Sequence, residues 1–194
     1  MLKTILPPAL IVALLGPMAA CSDIKGAIEF SQDRDDFESR FERLDRRYLT
    51  TESNVPLTDS STYTGEAMLA AGTDVDGVVL IGDALITIDW DNKTVDGALR
   101  NFGGFDRERS YSDYSGTLTL ENGVLGVESH NDLESRILGT LSGEDYTIDV
   151  DARWQGDLRG NPVRGVLGET TPFGSRFELN GTPVAGGIMI AVGG

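Results

Sequence analysis

The sequence predicts a mainly β protein, an antiparallel eight-stranded β-barrel (about 8–10 strands) preceded by one amphipathic α-helix. Three observations predict it. From Tyr63 onward apolar residues recur with period two, the pattern of strands wet on one face and buried on the other. Glycine is abundant, 24 of 194 residues, and turn signals are frequent, so the chain bends and reverses often. A helical period appears only in residues 23–49.

The chain starts with a basic stretch, Met1–Lys3, and an aliphatic run, Ile5–Leu15, that contains Pro7 and Pro8. Small residues follow at Gly16, Ala19 and Ala20. This is the layout of a secretory signal over residues 1–20. The run is shorter than the roughly 20 residues that a membrane-spanning helix needs.

Cys21 is the only cysteine, so no disulfide forms within the chain. Met18-Ala19-Ala20-Cys21 resembles the lipobox of bacterial lipoproteins, with Met18 where leucine is usual. The resemblance implies cleavage before Cys21, a diacylglycerol on its sulfur, and a further acyl chain such as palmitate on the new amine. Two or more acyl chains hold a protein on a membrane stably, at about 0.8 kcal/mol per buried CH₂. Ser22 rather than aspartate follows the cysteine, which by the same resemblance implies transfer to the outer membrane. The expected location is therefore lipid-anchored, on the cell surface or on the periplasmic face.

Acidic residues outnumber basic ones 31 to 16, for a net charge of −15. That balance disfavours nucleic acid as a partner. It also disfavours adhesion to anionic lipid, so the acyl chains on Cys21 must supply the attachment.

Residues 21–49 form the anchor segment and the helix. Ala27, Phe30, Phe37, Phe41, Leu44 and Tyr48 fall at three-, four- and seven-residue steps and share one face. Asp33, Asp35 and Asp36 lie early, and Arg40, Arg43, Arg46 and Arg47 lie late, an order that suits the helix dipole. Asp36–Arg40 and Glu42–Arg46 stand at i,i+4 spacing. Ser31 is one candidate cap, and a start nearer Ile24 is the other. The aromatic stripe reads first as docking onto the chain's own core, with a partner-binding or self-associating helix as the alternative. Residues 50–62, polar and holding Pro56, read as a linker.

Residues 63–194 are the expected barrel. In 146–154, Tyr146, Ile148, Val150, Ala152 and Trp154 alternate with polar residues. Residues 82–90 do the same with Ala84, Ile86, Ile88 and Trp90, turn at Asp91-Asn92-Lys93, and return over 94–102. Asn122-Gly123 predicts a hairpin within 116–127, because both residues tolerate positive φ. Further strands are expected at 63–70, 77–81, 136–141, 163–168, 174–179 and 184–192. The two tryptophans with Ile86, Ile148 and Val150 predict an interior filled by side chains.

The runs GDALITIDWDNKTVDGALRNF, GTLTLENGVLG and YTIDVDARWQGDLRG resemble the barrel domain of transferrin-binding protein B-like and factor H-binding protein-like surface lipoproteins. The resemblance covers roughly residues 63 to 192 and rests on short glycine-centred motifs. Leu158 stands where the family has an aromatic, and the closing stretch keeps only Gly181, Pro183, Ala185 and Gly186-Gly187 of the family pattern. No second barrel lobe or handle domain is present in this sequence, so transferrin binding is not carried over, and no binding residue is. The resemblance implies a binding module for a protein or a nutrient carrier.

Residues that carry chemistry are sparse. His130, the only histidine, lies beside Glu128, Ser129 and Asp132 without a Gly-x-Ser-x-Gly elbow, and reads as part of a polar loop. Asp74, Asp76 and Gly77 begin like a calcium loop but lack its later ligands, and read as a hairpin turn. The expectation is a non-enzymatic protein with no cofactor, no metal site and no catalytic residue. A protein partner is expected, met through the polar segments 103–113 and 128–136. The alternative is a structural or assembly lipoprotein facing the periplasm, with the helix docked on an envelope partner.

Overall fold

The computed structural model describes residues 24–73, 76–108 and 110–194. Among the described residues one α-helix, α1 (Ile24–Asp45), and a single 3-10 turn at Glu52–Asn54 precede nine strands. They are β1 (Ser60–Gly72), β2 (Gly77–Asp89), β3 (Thr94–Asp106), β4 (Tyr111–Leu125) and β5 (Asp132–Ser142), then β6 (Thr147–Arg159), β7 (Gly165–Thr170), β8 (Arg176–Leu179) and β9 (Thr182–Gly193).

The strands pair antiparallel in chain order from β1 to β7; β7 pairs β9, and β9 returns to β1, which closes an eight-strand ring. The short β8 is the ninth strand. It also bridges β6 and β9, beyond the end of β7, through Ile148↔Leu179 and Phe177↔Val184. The expected barrel is thus present, and among the described residues α1 is the one α-helix ahead of it.

Period two has its physical reason in the burial pattern. Ile148, Val150, Ala152, Trp154 and Leu158 of β6 all point into one apolar cluster, as do Ala84, Ile86 and Ile88 of β2. Trp154 is fully buried, and Trp90, just past β2, is 3% exposed. Side chains fill the interior as expected. The outer wall of β5 and β6 is polar instead: Arg136 pairs with Asp151, and Arg153 with Glu134. Apolar inside and charged outside, this part of the wall is the reverse of one that faces lipid. Among the described residues, no helix is long and apolar enough to cross a membrane.

Several boundaries differ from the sequence expectation. The segments 77–81 and 82–90 are one strand, because Gly82 sits at a register shift rather than a break. A Cβ there would press on the Phe102 ring. Asn122-Gly123 does not reverse the chain. Asn122 does take positive φ (53°), but the strand continues as β4 and the pair forms a bulge against β5. The freedom that suits a turn serves a kink in a closing sheet.

α1 lies on the outside of the barrel. Phe30, Phe37 and Leu44, seven residues apart, are buried against Met68, Ile81, Leu167 and Ala191. Each such side chain contributes about 1.5–3 kcal/mol of burial. The stripe thus docks on the chain's own barrel, the first of the two expectations. Tyr48 falls beyond the helix and is 86% exposed. Ser31 lies in the second turn, so the start nearer Ile24 is the observed one. Glu42–Arg46 forms as expected, but Arg40 turns away from Asp36 and pairs with Glu66 of β1.

Residues 50–62 are not a free linker. Leu49 bridges to Arg159, and the Thr50 amide donates to the Leu158 carbonyl at 3.0 Å. Val55 packs against the interior cluster. The Asp59 amide donates to Asp91 Oδ2 at 2.9 Å, and β1 already begins at Ser60. The segment is a strap tied to two separate turns at one end of the barrel.

Candidate functional site

The molecule has two different ends. One carries the tips of the hairpins β1–β2, β3–β4, β5–β6 and β8–β9. The other carries the connections β2–β3, β4–β5 and β6–β7, together with the strap. The regions that the sequence singled out divide between them.

Segment 103–113 is mostly strand: it closes the β3–β4 hairpin at the first end, and only residues 107–110 lie between the strands. Phe105 and Tyr111 are packed beneath α1 rather than presented for recognition. Tyr111 donates to Asp113 Oδ1 at 3.0 Å. Burial, and then that carboxylate, push its phenol well above the usual range.

Segment 128–136 belongs to the opposite end, and from Asp132 onward it is β5. Its polar side chains serve the loop itself. Asp132 Oδ2 accepts from the amides of Glu128 (2.8 Å) and Ser129 (2.9 Å). The Ser129 hydroxyl donates to Asn131 Oδ1 at 2.6 Å. His130 Nε2 lies 2.9 Å from the Thr50 carbonyl. A carbonyl can only accept, so Nε2 carries the proton of that bond. The Ser129 hydroxyl is thus spent on Asn131, the His130 ring on Thr50 and the Asp132 carboxylate on two backbone amides, an arrangement that is not a relay. The histidine instead ties the β4–β5 loop to the strap.

Thr50, fixed in this way, is 1% exposed, and its hydroxyl donates to the Gly160 carbonyl at 2.7 Å. The Gly160 amide donates to the Tyr48 carbonyl, and the Thr51 amide donates to Asn161 Oδ1, both at 2.9 Å. Around this ordered base several apolar side chains stay in water: Tyr48, Leu57 (83% exposed), Leu49, Val124 and Val127. No sequence signal joined these residues into one surface, because it is assembled from separate segments around Thr50, His130 and Gly160.

Asp74 and Cys21 lie outside the described residues. Asp76 sits between the paired ends of β1 and β2, as a hairpin turn requires. Its carboxylate accepts from the Tyr146 hydroxyl at 2.6 Å, which pushes that phenol well up. Among the described residues, no group of three or more His, Cys, Asp or Glu is placed to hold a metal.

An open cleft of about 390 Å³ lies between β3, β4 and β5, lined by Asn101, Phe102, Asp113, Tyr114, Ser115 and Ser142. It forms where the β3–β4 register slips after Arg100 and Asn101 takes φ 55°. Burial, with Asp106 and Asp145 nearby, pushes the Tyr114 phenol up to about 12. The cleft is open along one side, unlike sites that enclose most of a small ligand.

No family model matches this chain, and comparison with curated proteins and with solved structures finds no match.

Proposed function

We propose that this chain is an outer-membrane lipoprotein, tethered through acyl chains on Cys21, whose barrel acts as a binding module for a protein or a nutrient carrier. The observation that carries the reading is Met18-Ala19-Ala20-Cys21 after an apolar leader, ahead of a barrel that is charged outside and filled inside. A barrel with that wall stays in water, so a place at a membrane requires an anchor. The thioether-linked diacylglycerol and the chain on the Cys21 amine are that anchor. The resemblance to transferrin-binding protein B-like lipoproteins supports the binding role. With the interior filled, recognition falls to the outside of the barrel and its ends.

The alternative, an envelope assembly factor that uses the helix as its docking element, loses its main support. Phe30, Phe37 and Leu44 are buried on the chain's own barrel, so that stripe of α1 is already occupied.

Expression in a Gram-negative host tests the anchor. The native chain is expected to sediment with outer membranes and Cys21→Ser to stay soluble; equal partitioning of the two overturns the reading. Crosslinking of the membrane-bound protein on intact cells, followed by pull-down, tests the binding role. A specific adduct that is lost after protease shaving of the cells supports display, and an adduct that survives shaving places the partner on the periplasmic side.

A further inference from the structure

We propose that α1 is a rigid strut that decides which end of the barrel meets the membrane: the hairpin tips β1–β2, β3–β4, β5–β6 and β8–β9 face lipid, and the strap end faces away. The inference rests on the Cys21 anchor proposed above and adds the direction in which the anchored barrel points.

Cys21 stands three residues before the first described helical residue, Ile24. Three residues reach at most about 10 Å even when fully extended. The lipid is therefore held wherever the start of α1 is held, and that place is the hairpin-tip end. Gly26 approaches the Tyr111 ring so closely that a Cβ would have no room. Phe30 meets Phe105 edge-on, with centroids 5.1 Å apart at 89°, and Phe105 meets Tyr111 the same way at 5.5 Å. Phe105 is one residue from the end of β3, and Tyr111 begins β4.

The far end of the helix is fixed as firmly. Leu44 lies over Gly165 at the start of β7, beside the strap end, where an added Cβ would meet the leucine at 2.8 Å. Between them Arg40 holds Glu66 through two nitrogens. The 22 residues of α1 span about 33 Å at 1.5 Å each. That reaches from one end of the barrel toward the other, with contacts along the whole path.

Electrostatic adhesion gives a different expectation. Asp76, Glu108, Glu144 and Asp145 lie at the hairpin-tip end, where Arg107 and, at the start of α1, Lys25 are the opposing basic residues and Lys25 is already paired with Glu29. Anionic lipid repels such an end, and salt would weaken the repulsion over a Debye length of about 8 Å. An orientation set by the strut does not change with salt. It also separates the two candidate recognition segments. Arg107, Glu108 and Ser110 are turned toward the bilayer, whereas the β4–β5 loop with His130, and the exposed Tyr48, Leu57 and Val127, are left open to a partner.

The test uses the lipidated protein in vesicles that carry a gadolinium chelate on a lipid headgroup. Glu144→Cys and Glu128→Cys each give one labelling site, because the Cys21 sulfur is already alkylated. Both side chains are exposed. A nitroxide at 144 is expected to relax several-fold faster than one at 128, with the same ordering at low and high salt. Equal relaxation, or the reverse order, overturns the proposal. Gly26→Leu, which wedges the helix start off Tyr111, is expected to erase the difference while the protein still floats with the vesicles. If the difference persists in that variant, the strut is not what orients the barrel. Failure of the anchor itself looks different: neither labelled protein then floats with vesicles.

Discussion

Arg40 of α1 grips Glu66 of β1 with a fork, Nε to Oε2 at 2.7 Å and Nη2 to Oε1 at 3.1 Å, across 26 residues of sequence. The two side chains are 27% and 19% exposed, so solvent screens the pair only in part. It joins the helix to the strand that closes the ring. Arg40→Lys keeps the charge but cannot make the planar two-bond contact. The expected loss is about 1–2 kcal/mol in urea unfolding. Amide exchange should quicken in residues 24–45 more than in the barrel; a uniform loss across both would contradict the assignment.

The β1–β9 seam predicts a contrast between two glycines. A Cβ on Gly65 would meet the Ala191 carbonyl, the Val192 backbone and the stem of Arg40. Gly187, on the opposing strand, has only Thr170 Oγ1 near it, at 3.6 Å. Gly65→Ala is expected to cost about 2 kcal/mol, whereas Gly187→Ala should stay within about 0.5 kcal/mol. Thermal unfolding of both variants checks this, and similar melting temperatures would count against the seam as described.

These contacts mark what was legible in the sequence. Alternation named the inward faces of β2 and β6 correctly, because one wet and one buried face forces period two on the composition. The helix face was legible for the same reason at period 3.6. Asn122-Gly123 misled because positive φ serves a bulge as readily as a turn. The strap escaped notice because Thr50, His130 and Gly160 are far apart in sequence and polar, and so carry no periodic signal. Arg40–Glu66 escaped because local spacing offered Asp36 as the nearer acid.

Acidity along α1 gives a pH prediction. Asp33 is raised above 3.8, first by burial and then by Asp36, Asp83, Glu29 and Glu66. A raised carboxyl holds its proton more tightly in the folded state. Its contribution is therefore full below pH 3.8 and is lost as pH rises through the folded value. Asp33→Asn should stabilise the protein at pH 7, by under about 1 kcal/mol as like-charge relief on a helix allows. The gain should shrink toward zero as pH falls below 4. A gain independent of pH would refute this.

Glu134 and Asp151 act in the opposite sense. The Arg153 hydrogen bond holds Glu134 below its ordinary range, and Arg136 does the same for Asp151. Their contribution is present above the unfolded value and fades as pH falls through the lowered one. Arg153→Met should flatten the acid limb of the stability curve and leave the alkaline limb alone; an unchanged acid limb would remove Glu134 from the account.

His130→Ala leaves the Thr50 carbonyl without its donor. A cost of about 1 kcal/mol is expected, expressed as faster amide exchange at Thr50 and Gly160. Protection of Ile148 and Val150 in the barrel should hold. Slower or unchanged exchange at Thr50 would show that the strap does not depend on the histidine.

The most direct measurement is the intact mass of the protein taken from bacterial membranes. A chain that begins at Cys21 and carries a diacylglyceryl thioether, with or without a third acyl chain on its amine, is the predicted result. A free, unmodified Cys21 thiol in the exported protein would contradict the account.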